Sequence, residues 1–182
     1  LEVWLSIDTE NKKALSEKKI AYGKLGKDEV EIDKERWNND KSNLQYGLDY
    51  AEGLIEKNEN DLAIDVCNEL LVYNPNNKRL LKVISNAYIN SYQESMALQY
   101  LEKLGEIDNK NINTFLDIAD VCIAIGEFKK GYNWVNKAIA LKTSPGKSYF
   151  QRAELLVALV EYNINDEIDF CDRLVYDLAW ED

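Results

Sequence analysis

The side chains best suited to chemistry are three cysteines, Cys67, Cys122 and Cys171. Their gaps of 55 and 49 residues match neither a zinc spacing nor a framework of paired disulfides. There is no histidine, so no imidazole can activate a serine or cysteine or bind a metal. The cysteines read as small buried residues on helices, in keeping with a reducing compartment such as the cytoplasm. A second candidate is Gly146-Lys147-Ser148, the tail of a phosphate-binding loop. The full pattern needs a glycine where Leu141 stands, and a strand where the periodicity predicts a helix. Ser144-Pro145-Gly146 reads instead as a turn that starts the next helix. The acids Asp28, Glu29, Glu31 and Asp33 lack the glycine and late glutamate of a calcium loop, and Asp108-Asn109-Lys110 puts a lysine at a ligand position. No pair of acids is marked out for glycoside chemistry. The expectation is no catalytic residue, no metal and no cofactor, hence not an enzyme.

Charge narrows the partners. With 22 Lys and Arg against 33 Asp and Glu, the net charge is −11. That disfavours phosphate neutralisation on nucleic acid and docking on an anionic membrane. No apolar run reaches the length of about 18 residues that a membrane span requires. The chain opens on Leu1, not Met, which reads as a trimmed or partial chain whose targeting segment can have been removed. A 46% hydrophobic content with only 2 prolines and 8 glycines fits a packed, mainly helical protein.

The elements that would position any site follow from the pattern. Residues 1–41 hold 9 basic and 10 acidic residues among sparse apolar ones. They read as a charged lead-in with marginal helices over 14–25 and 29–37, offering Trp4 and Trp37 to the body. From Ser42 apolar residues recur every three or four positions in blocks split by short polar turns. This predicts helices over 43–57, 60–73, 77–90, 94–106, 112–125, 128–141, 147–162 and 168–181.

Sliding the sequence against itself by 34 residues aligns three helix pairs without a gap. Counting from Leu44, position eight is Ala51, Ser85 and Ala119, and position twenty is Ala63, Ala97 and Gly131. Position twenty-four is Cys67, Leu101 and Val135, position twenty-seven Leu70, Leu104 and Ala138, and position thirty-two Pro75, Asn109 and Thr143. Small residues at eight and twenty let two antiparallel helices approach closely, and larger ones fill the space to the next pair. One hairpin cannot bury its apolar face alone, whereas stacked hairpins can.

In these residues, and best over 63–75 (AIDVCNELLVYNP), the chain resembles the tetratricopeptide-repeat family. The likeness covers 44–143 and implies an all-α fold, an α-α superhelix or solenoid of antiparallel helix pairs. The expected organisation is a lead-in over 1–41 and a repeat domain over 42–182. Its units are 44–77, 78–111 and 112–145, followed by a diverged or capping helix pair over 147–181. The family's position-four aromatic is Gly47, Leu81 and Phe115 here, and its position-eight glycine is absent. In the diverged pair Ala153 takes the small position, with Leu155, Leu156 and Leu159 on the packed face.

The resemblance further implies that the first helix of each pair lines a concave groove. Its polar residues include Asp49 and Glu52 in the first unit, with Gln45 and Glu56 beside them, Arg79, Lys82, Asn86 and Asn90 in the second, and Asn113, Asp117 and Asp120 in the third. Leu48, Val83 and Leu116 stand at groove positions too. Leu48 and Glu52 occupy places where the carboxylate-gripping subfamily needs Lys and Asn, so that clamp is absent. Amides can hydrogen-bond an extended backbone both ways, and the acids favour a basic or neutral segment. The expected function is a protein-interaction scaffold that holds a peptide or partner helix. The alternative is a structural segment of a larger multi-domain protein or assembly, using its convex face or repeat ends.

Overall fold

The computed structural model describes residues 28–141 and 145–161. Trp4, Cys171 and the helices expected over 14–25 and 168–181 lie outside them, as do the side chains of Leu156 and Leu159. Among the described residues there are eight helices and no strand. They are α1 (Glu29–Asn39), α2 (Leu44–Glu56), α3 (Asn60–Leu71), α4 (Lys78–Asn90), α5 (Glu94–Ile107), α6 (Ile112–Ala124), α7 (Phe128–Ala140) and α8 (Pro145–Glu161). Contacts divide the chain into two units, Leu1–Pro75 and Asn76–Asp182.

The 34-residue register reappears in how the helices begin and end. Asn43, Asn77 and Asn111 cap α2, α4 and α6, each accepting through its side chain from backbone N–H groups of the first turn. An asparagine cap satisfies donors that the helix itself leaves open. The phase puts Pro145 at the next such place, where α8 starts. Each first helix ends on a left-handed residue: Asn58 (φ 60°), Tyr92 (φ 57°) and Gly126 (φ 78°). The residue after it donates back to the carbonyl five positions earlier, Glu59 to Leu54, Gln93 to Tyr88 and Glu127 to Cys122, at 2.8–2.9 Å. This six-to-one bond is a Schellman cap, and it turns the chain directly into the second helix. Of the three residues only glycine takes this φ without steric cost. Tyr92→Gly should therefore stabilise the protein by about 1 kcal/mol, while Gly126→Ala destabilises it by about as much. Thermal unfolding of the two variants checks the opposite signs.

In the first unit α1 packs on α2 and α2 on α3. Gly47 is the meeting point. A Cβ placed there would lie 2.8 Å from Leu70 and 3.0 Å from the Trp37 ring. The aromatic missing from position four of this unit is thus supplied by α1, whose indole fills the space. Asp33, buried on α1, pairs with Arg36 at 2.9 Å. The Arg36 guanidinium lies 4.2 Å from the Tyr46 ring centroid and 3.8 Å from Asp49, bracing α1 on α2.

In the second unit successive helices pack in order, and α8 also reaches α6. One core cluster gathers Leu98, Leu101, Phe115, Ile118 and Trp134, with the Phe115 and Trp134 rings 5.3 Å apart. Another joins Ala119, Phe128, Tyr132, Val135 and Leu155. Ala51, Ser85, Ala119, Ala63, Ala97, Gly131 and Ala138 are all buried, and Pro75 is exposed in its turn. A Cβ on Gly131 would sit 2.9 Å from that of Cys122, so α6 and α7 approach as closely as backbone permits. Ala153, expected at a packed small position, is exposed instead, because α8 buries Ser148, Gln151 and Leu155. Those three lie on the opposite side of that helix from Ala153.

Candidate functional site

The expected groove residues fall in both units, and each unit is described by itself. In the first, Asp49 is half-buried and engaged: Gln45 Nε2 donates to it from one turn away and Arg36 approaches from α1. Glu52 is half-buried on the same helix. Leu48 is buried with the core, not presented to a ligand.

In the second unit the first helices α4, α6 and α8 are tied side by side through polar groups. Lys82 Nζ on α4 forms an ion pair with Asp117 on α6. Gln151 Nε2 on α8 donates to the Asp120 carboxylate and to the Leu116 carbonyl, the latter at 3.4 Å. Val83 and Leu116 are buried among the helices. Lys82, Asp117 and Asp120 therefore each contact a neighbouring helix. Asn86, Asn90 and Asn113 are exposed and have no side-chain partner among the described residues, and Arg79 is exposed beside them on α4. A shallow open depression of about 420 Å³ lies at the α5–α6 turn, lined by Asp108, Lys110, Asn111, Ile112 and Asn113. Lys78 (2.9 Å) and Asn111 (3.1 Å) both donate to Asp108 and hold its carboxyl below the usual range.

Gln151 is the polar residue that the expected set omits. It stands one 34-residue step after Asp117, so extending the register by one unit reaches it. Its Oε1 is buried and has no hydrogen-bond partner among the described residues.

Cys67 and Cys122 are buried free thiols. Burial, helped by Glu52 near Cys67 and by Glu102 near Cys122, pushes both up to about 12. The thiolate is the reactive form, so neither thiol suits nucleophilic or metal chemistry near neutral pH. In a Cys171→Ser variant, a thiol reagent at pH 8 should label nothing until denaturant is added. Prompt labelling of the native protein would contradict this burial. Folding favours the protonated thiols, and the linked stability is full below the ordinary value of 9.0 and is lost as pH rises toward about 12. Among the described residues no group of three or more cysteine or acidic side chains could hold a metal ion. No helix there is long and apolar enough to cross a membrane.

Comparison with solved structures identifies this arrangement. A crystal structure of MamA protein superposes with a TM-score of 0.67 at 15% identity, over 86% of this chain and 84% of that one. A MamA fragment, 41-end, from Desulfovibrio magneticus RS-1 gives 0.63 at 16%, over 79% and 82%. The Sgt2 TPR domain from Aspergillus fumigatus gives 0.56 at 18%, over 68% and 83%. The fold is that of tetratricopeptide repeats. At such identities the likeness is one of fold. No protein-family profile and no curated protein matches the sequence. In tetratricopeptide terms α2, α4 and α6 are the first helices of three units and α3, α5 and α7 the second.

Proposed function

We propose that this tetratricopeptide-repeat chain is a non-catalytic scaffold that holds a peptide or partner helix against α4 and α6. One observation carries the reading. Asn86, Asn90 and Asn113 stand exposed on α4 and α6, while the charged neighbours Lys82, Asp117 and Asp120 are tied into the helix stack. Exposed amides can donate to and accept from an extended backbone without demanding a charge, which suits a neutral or basic segment. Missing histidine and two buried high-pKa thiols support a role without catalysis.

Affinity capture from the source cell would supply a partner, and its bound segment would then be synthesised and titrated. Asn86→Ala, Asn90→Ala and Asn113→Ala together should weaken binding by about a hundredfold, at roughly 1 kcal/mol for each of the hydrogen bonds lost. The asparagines are preferable to Asp117, whose removal also breaks the Lys82 pair. Unchanged affinity in the triple variant would place the partner elsewhere.

A further inference from the structure

The second helices α3, α5 and α7 share one packing template, yet their outer faces change sign. At three equivalent outward positions α3 carries Asp61, Asp65 and Glu69, α5 carries Ser95, Gln99 and Lys103, and α7 carries Lys129, Asn133 and Lys137. The α3 and α7 trios are exposed throughout, and steps of four keep each on one helical face. Packing does not demand this change, because the buried residues of both helices lie on the other side. The bias extends beyond the trios. Residues 28–75 hold 13 acids against 4 bases, whereas residues 76–141 hold 7 against 8. The acidic stripe is flanked by exposed apolar side chains, Leu62 at 51%, Val72 at 72% and Tyr73 at 83%. Present pairings of the trios include an exposed ion pair of Glu69 with Lys41 at 2.8 Å and Lys137 over the Trp134 ring. The Glu69–Lys41 ion pair is exposed on both sides, and such pairs are weak and exchangeable.

We propose that the acidic outer stripe of α3 docks on the basic outer stripe of α7 in a second copy of this chain. Charge selects the occupant, and matched spacing gives the alignment. Both trios advance four residues per step, about 6 Å along a helix. Set antiparallel, Asp61 meets Lys137, Asp65 meets the Asn133 amide, and Glu69 meets Lys129. Leu62 and Tyr73 lie beside the seam and add apolar contact. The two surfaces differ, so the contact is heterologous, and repeating it builds an open chain or a closed ring. The contact is independent of the groove proposed above, and exposed charges make it sensitive to salt.

Sedimentation velocity of the whole chain tests this. Species larger than the monomer are expected at about 0.01 M salt, dissociating at about 1 M, where screening acts within a few ångströms. Asp61→Lys, Asp65→Lys and Glu69→Lys together should weaken association at least tenfold, as should Lys129→Glu with Lys137→Glu. Mixing the two reversed chains should restore it, as should placing both sets in one chain, which also shows that the variants fold. A wild-type chain that stays monomeric at low salt overturns the proposal. So does association that survives either reversal, or a mixture that fails to recover it. The asparagine triple variant should associate like wild type, which separates this contact from the groove.

Discussion

Trp37→Ala is expected to cost about 3–5 kcal/mol, the range for removing a large aromatic from a packed core. Trp37 is only 2% exposed, although it sits in the most charged part of the described chain. Its ring fills the place left by Gly47 and touches the zone of Leu70, so its loss opens a cavity shared by α1, α2 and α3. The measurement is the denaturant midpoint at unchanged slope. Trp37→Phe should cost less, since the indole Nε1 has no hydrogen-bond partner among the described residues. Combining Trp37→Ala with Gly47→Phe should recover part of the loss, because the aromatic then arises from position four. A cost below about 1 kcal/mol for Trp37→Ala would mean that α1 is not integral to the unit.

Leu101→Ala should cost about 2–5 kcal/mol. Leu101 is fully buried on α5, in the cluster with Phe115, Ile118 and Trp134. Gly105, one turn later, lets the Ile118 and Trp134 side chains come within about 3 Å of where a Cβ would stand. Neighbours held that tightly have little room to collapse into a void, which puts the cost toward the upper end. Cys67→Ala, at the same register position, removes a single sulfur and should cost less. Equal losses at the two positions would contradict the size argument, and chemical denaturation of both variants decides it.

Much of this fold was legible because repeats write the same local instructions three times. Spacings of three and four mark the helices, and the 34-residue offset marks which small residues meet at crossings. The same offset also carries two signals easily passed over as polar turns. Asn43, Asn77 and Asn111 are the caps of the first helices, and Asn58, Tyr92 and Gly126 are their left-handed ends. Tyr92 hides the second signal, since tyrosine gives no warning of a positive φ. Helix α1 was harder to read. Its apolar residues are few, and what makes it a packed element is the space that Gly47 leaves on another helix.

The candidate site divides in the same way. The resemblance to tetratricopeptide repeats implies that Lys82, Asp117 and Asp120 face a groove. The folded chain joins Lys82 to Asp117 and Asp120 to Gln151 across 35 and 31 residues. The sequence alone therefore determined the helices, their caps and the repeat, all set by interactions within a few residues or by a pattern recurring along the chain. Only the tertiary structure decided which polar groups of distant helices face one another. Such pairing depends on distances between helices far apart in the chain, and a list of residue types does not contain them.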